Sequence, residues 1–189
     1  MISKNRFRYS LMLLFFLMCM GVWAQNQTLG GLDWQEKGKA LWKATDSLVI
    51  GTAKEGAAGF LITENPYANF EISIDFKPDA SVNSGIFLRC AQAEISANDC
   101  YEFNIWDHHP EQQWRTGAVV TRSSPLKKVH TVGTWNTYRI RLVGKRLQAW
   151  INEVLVIDMK DEGLSAGYIG LQAAATGSIM FKNLQFKIL

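Results

Sequence analysis

The hydrophobic pattern of this 189-residue chain repeats every two residues over most of its length, and that limits what it can fold into. Eleven segments alternate in this way: 41–50, 59–63, 70–77, 84–90, 100–107, 117–121, 135–143, 146–152, 153–158, 168–174 and 178–188. Turn chemistry separates them, with Lys77-Pro78-Asp79, Val143-Gly144-Lys145, Asn152-Glu153 and Thr176-Gly177 as the plainest signals. No stretch keeps a helical period for three turns, and 53–58 is too short and Gly-rich. Many short antiparallel strands without an internal repeat predict an all-β, two-sheet antiparallel jelly-roll sandwich.

The N-terminus reads differently. Lys4, Arg6 and Arg8 precede an apolar run from Leu11 to Trp23, and Val22-Trp23-Ala24 ends it with a small residue. This pattern predicts a secretory signal peptide over 1–24, cleaved after Ala24, with one jelly-roll domain over 25–189. The run of about 13 residues falls short of the ~20 a membrane-crossing helix needs, so no transmembrane span is expected. Acylation at Cys19 is the alternative, but Phe16-Leu17-Met18 lacks the small residue that should precede it. The signal implies an exported, periplasmic or extracellular, bacterial protein.

The charge balance follows from that boundary. The chain holds 20 basic and 17 acidic residues, and the leader holds three of the basic ones and no acid. The remainder is 17 against 17, so nothing in it asks for nucleic acid or an anionic surface. A monomer or weak oligomer is expected. Outside the leader two cysteines remain, Cys90 and Cys100. In an oxidising compartment they can close a hairpin loop as a disulfide; two buried thiols are the other reading.

The strand "YEFNIWD" (101–107) carries the functional question. Tyr101, Phe103, Ile105 and Asp107 fall on one face, and Glu102, Asn104 and Trp106 on the other. Neighbouring strands repeat the arrangement of an apolar face backed by a chemically rich one. If those strands share a sheet, the second face gathers Asp75, Arg89, Glu102, Asn104, Trp106 and Gln172. Carboxylate, guanidinium and amides match sugar hydroxyls, and indole stacks on sugar C–H faces. A solvated face with surface ion pairs is the plain alternative. Six tryptophans follow the leader. Trp34, Trp42, Trp135 and Trp150 read as core, while Trp106 and Trp114 flank a loop and fit either role.

In chain order, "GFLITENPYANFEISIDFK" (59–77), "NSGIFLR" (83–89), "YEFNIWD" (101–107), "TGAVV" (116–120), "WNTYRIRLVGKRLQAWINEVLV" (135–156) and "GYIGLQAAATGSIMFKNLQF" (167–186) resemble the 3-keto-disaccharide hydrolase domain family. The likeness spans about Leu29 to Leu189. It implies a concanavalin A-like jelly roll acting on glycosides whose carbon 3 has become a ketone. A 3-keto group acidifies the carbon-2 proton, so one base and one oxyanion stabiliser suffice for elimination. The acid–nucleophile pair of ordinary glycosidases is not needed, and the E-x-D-x-x-E motif of concanavalin-like endoglucanases is absent. On this reading Glu102 is the base and Arg89, or a divalent metal, the electrophile. Asp75, Asn104, Trp106, Asp107 and Gln172 bind substrate. No cofactor is assigned. Two departures stand out. Ala174 occupies the position of a family His in I-G-L-Q-x-H-G, and Glu102-Phe103-Asn104 replaces E-x-Q.

Asp107-His108-His109 could offer ligands to a divalent cation, but adjacent histidines before a proline read more simply as loop. Triads, phosphate loops and dinucleotide fingerprints are missing. Three functions remain in view. The first is an exported hydrolase or lyase of glycosides, with carbohydrate as its partner. The second is a carbohydrate-binding module without turnover. The third is a surface interaction domain.

Overall fold

The computed structural model describes residues 27–189 apart from 46, 55, 93, 94 and 97. The expected signal peptide over 1–24 lies outside the described residues. Thirteen strands appear in chain order: β1 (Gln27–Leu29), β2 (Leu32–Gly38), β3 (Leu41–Ala44), β4 (Leu48–Thr52), β5 (Gly56–Thr63), β6 (Phe70–Pro78), β7 (Val82–Cys90), β8 (Tyr101–Ile105), β9 (Asn136–Val143), β10 (Arg146–Ile151), β11 (Val154–Lys160), β12 (Tyr168–Ala175) and β13 (Ser178–Ile188). Among the described residues one 3-10 turn, Gln112–Trp114, accompanies them. All pairings are antiparallel. One sheet runs β1-β2-β5-β12-β7-β8, and the other β11-β10-β9-β6-β13-β4-β3. The crossovers between sheets give the antiparallel jelly-roll sandwich. Among the described residues no helix is long and apolar enough to cross a membrane.

The core follows from alternation. Phe70, Ile72, Ile74 and Phe76 of β6 and Tyr138, Ile140 and Leu142 of β9 point inward from one sheet. Ile86 and Leu88, Tyr101, Phe103 and Ile105, and Ile169 and Leu171 answer from the other. All are fully buried, each contributing about 1.5–3 kcal/mol through removal from water. At Asn152-Glu153 both residues have positive φ, as a two-residue turn between twisted strands requires.

Three segments differ from the sequence reading. The segment 41–50 is not one strand but the start of a hairpin, turned where Thr45 N–H donates to Leu48 O at 2.8 Å. β2 was not legible, because only Leu32 and Trp34 of its seven residues are buried. The stretch 117–121 is not a strand; Val119 forms isolated bridges to Phe103 and to Ser123. It still covers the outer edge of β8, with Asn104 N–H donating to Ala118 O and Val120 N–H to Glu102 O, both at 3.0 Å.

Candidate functional site

The ladder around β7 builds the site on the outer face of the six-stranded sheet. Phe87 pairs with Glu102 and Gly85 with Asn104. On the other side of β7, Gly170 of β12 pairs with Phe87 and with Ile62 of β5. Gln172 pairs with Phe60. Partners across a ladder share a face, so Glu102, Asn104 and Gln172 lie on one surface. Asn104 and Gln172 flank Gly85, separated by two strand spacings, about 10 Å. Gly85 leaves the floor between them bare. A Cβ there would come within 3.2 Å of Phe87 Cε2 and 3.4 Å of Glu102 Cγ.

Glu102 is the buried carboxyl group of this surface. It is 9% exposed, and burial alone pushes its pKa up to about 7. Its surroundings explain this: Phe87 opposite, and an apolar cluster of Phe87, Phe60, Ile95 and Tyr168 beside it. Ile95 rests on Gly170, where a Cβ would lie 2.3 Å from Ile95 Cδ1. The loop carrying Ile95 is closed at its base by a disulfide between Cys90 and Cys100. Phe60 meets Phe87 edge to face at 5.4 Å. None of these apolar residues was singled out from the sequence, because an apolar cluster on a solvent face looks like ordinary strand alternation.

The two amides are also buried, Asn104 to 1% and Gln172 to 8% exposure. Asn104 donates through Nδ2 to Trp114 O, which fixes the orientation of its amide. Asn104 Oδ1 and Gln172 Oε1 have no hydrogen-bond partner among the described residues. Such acceptors are costly to leave unmade unless something else fills them.

The other expected site residues lie elsewhere. Asp75 belongs to the opposite sheet, where β6 pairs with β13 and β9. There it accepts hydrogen bonds from Thr137 Oγ1 at 2.7 Å and Asn183 Nδ2 at 2.8 Å. Arg89 departs from its expected face because the β7–β12 register shifts by one residue between Tyr168 and Gly170. Arg89 has φ 51°, and an extra strand residue breaks the alternation at that point. Its guanidinium, fully buried, donates to Ala68 O and Gly144 O at 2.8 Å, Leu164 O at 3.0 Å and Asn69 Oδ1 at 3.3 Å. It bolts loops together and is not beside Glu102.

Asp107, on the core parity of β8, is likewise occupied. It accepts from Thr131 N–H at 2.7 Å and Thr131 Oγ1 at 2.9 Å, with Arg115 at 3.7 Å. Burial works to raise its pKa, but these partners outweigh that and hold the carboxyl below the usual carboxylate range. Trp106 is half-buried, its ring 4.6 Å from that of His109. Trp135 and Trp150 are not core: Lys182 Nζ stands 4.1 Å over one ring and the Arg139 guanidinium 3.8 Å over the other. Ala174 pairs with Asn83, one further step along the face from Gln172. Among the described residues no three His, Cys, Asp or Glu side chains converge as metal ligands.

Comparison with known proteins matches residues 25–187 to the 3-keto-alpha-glucoside-1,2-lyase-like domain. The chain belongs to that family. No curated protein matches it. Among solved structures, a Parabacteroides distasonis protein provisionally named a glycosyl hydrolase is similar at 25% identity and TM-score 0.69, over 79% of this chain and 90% of that one. A second from the same organism, also provisionally named, shares 19% identity at TM-score 0.68, over 78% and 83% of the two chains. The carbohydrate binding module CBM66 from Bacillus subtilis shares the fold, at 18% identity and TM-score 0.60, over 80% and 94%. The 3-keto-alpha-glucoside-1,2-lyase-like domain is thus a glycosyl hydrolase-like sandwich whose fold is shared with carbohydrate-binding proteins.

Proposed function

We propose that this protein is an exported carbohydrate-active lyase or hydrolase that cleaves glycosidic bonds, of 3-keto-glycosides in particular, with Glu102 as its base. The observation that carries the reading is the buried Glu102 carboxyl, its pKa pushed up to about 7, on one sheet face with two unpartnered amide oxygens. A base of that pKa is half ionised near neutrality, where proton transfer is most effective. Ionised Glu102 takes the carbon-2 proton of the oxidised sugar. The electron pair moves into the carbon-3 carbonyl and gives an enolate. Its return expels the glycosidic oxygen from carbon 1, which leaves as the alcohol with the proton Glu102 returns. Water adds to the resulting enone to complete hydrolysis. Gln172 Nε2 carries N–H donors suited to the enolate oxygen, and Asn104 and Trp106 orient the ring. Arg89, Asp75 and Asp107 take no part in this scheme, since their partners are already in place.

A binding module without turnover is the second reading. It is favoured by the lack of a cation beside Glu102 among the described residues, since Arg89 and Arg115 are directed elsewhere. The test is to incubate the protein with a 3-keto-disaccharide and with its unoxidised parent, following both by NMR. Cleavage of the keto form alone, lost in Glu102→Gln, supports the proposal. Ligand broadening without cleavage selects the binding module.

A further inference from the structure

We infer that the Glu102 face is built for a neutral, hydroxyl-bearing sugar ring, donated to Asn104 Oδ1 and Gln172 Oε1, and that it rejects rings bearing a carboxylate or sulfate. The inference deepens the reading above and rests on it. Its basis is the polarity of the lining. Glu102, Asn104 and Gln172 share the surface across Gly85, and the fully buried amide atoms left unpartnered, Asn104 Oδ1 and Gln172 Oε1, are both acceptors. The orientation of Asn104 is fixed by its donation to Trp114 O, so Oδ1 cannot be exchanged for a donor without losing that bond.

Cations that sequence places nearby are turned away. The Arg89 donors go to three backbone carbonyls and Asn69. Arg115 Nη2 donates to Val129 O at 2.7 Å and faces Asp107. Arg122 stands over the Tyr101 ring and pairs with Asp161 at 3.2 Å. Lys37 shares the outer face, but its strand partner is Phe60. That aromatic residue stands between it and Gln172, with Lys37 about 10 Å from Gln172 by two strand spacings. Phe60 belongs to the apolar cluster with Phe87 and Ile95, which walls that side of the surface. An anionic ring would therefore meet two acceptors, a carboxyl group and apolar surface, while the one amide donor at hand, Gln172 Nε2, is committed to the carbon-3 oxygen in the scheme above and cannot also compensate its desolvation. A neutral ring supplies the two hydroxyl donors that the amides lack, and a site with buried unpaired acceptors discriminates strongly for a ligand that satisfies them.

The test compares a methyl 3-keto-glucoside with the matching methyl 3-keto-glucuronoside, reading binding by calorimetry and cleavage by NMR. The glucuronoside is expected to bind at least about tenfold more weakly, and Gln172→Lys to narrow or reverse that ratio. Equal affinity for the two probes overturns the inference while leaving the proposed chemistry standing. So does a glucuronoside preference. Binding of the neutral probe alone without cleavage supports the inference and removes the catalytic reading. Failure of both probes to bind overturns both.

Discussion

Glu102 faces Phe87 directly across the β7–β8 ladder, so a carboxyl group stands against an aromatic ring on the outside of a sheet. That pairing ties activity to stability in opposite senses. Unfolded, the carboxyl ionises near its ordinary value of 4.5; folded, near 7. Between these values the unfolded chain has released a proton that the folded chain keeps. Stability therefore falls as pH rises from about 4.5 to about 7 and stays lower above. The full difference is about 3 kcal/mol. Glu102→Gln is predicted to abolish keto-glycoside cleavage, with a loss of about 10²–10⁴, and to raise the melting temperature at pH 8 more than at pH 5. Thermal melts at the two pH values check it. A variant destabilised equally at both would refute the assignment of burial as the cause.

For the unmodified protein, kcat/KM for a 3-keto-glycoside should rise with pH on a limb centred near 7, as Glu102 becomes ionised. A limb centred near 4.5 would mean that the working base is a solvated carboxylate elsewhere.

Arg89 is predicted to matter for folding and not for chemistry. Arg89→Lys keeps the charge but cannot span Ala68 O, Gly144 O, Leu164 O and Asn69 Oδ1 together. Orphaned buried acceptors should cost about 2–4 kcal/mol. Urea denaturation measures the loss. Turnover of the folded fraction should stay within about threefold, since the guanidinium takes no part in the proposed reaction.

Gly85→Ala tests the bare floor. The glycine does not have positive φ, so an alanine meets no backbone strain. Its Cβ would sit 3.2 Å from Phe87 Cε2 and 3.4 Å from Glu102 Cγ, in the gap between Asn104 and Gln172, so the Phe87 ring must give by a few tenths of an ångström. Sugar affinity should drop about tenfold or more, with the urea midpoint lowered by that repacking. Calorimetry on the variant, beside its denaturation curve, separates the two effects.

The Cys90–Cys100 bond closes a loop with a sequence separation of 10. Its reduction should cost about 2–3 kcal/mol through loop entropy in the unfolded chain. Melting with and without a reductant measures this. Because Ile95 of that loop lies on Gly170 beside Phe87, reduction should also weaken the apolar flank of Glu102. The acid limb of the pH profile should then move to lower pH.

Much of this molecule was written locally. Period-two alternation gave the strands of the core, from Phe70-Ile72-Ile74-Phe76 to Ile169-Leu171, because burying one face of a strand constrains every second residue. The same parity put Glu102, Asn104 and Gln172 on the face away from the core. What parity could not supply was the sheet to which each strand belongs and where alternation fails. Asp75 has the right parity on the wrong sheet, since strand order is a long-range outcome of packing. Arg89 has the right sheet but sits at a register shift, and one extra residue there reverses where a side chain goes. The raised pKa of Glu102 depends on Phe87, Phe60 and Ile95, drawn from two strands and a loop. Sequence determined which groups are present and which way each strand presents them. Only the tertiary structure decided which of those groups are left without a partner, because that depends on neighbours far apart along the chain.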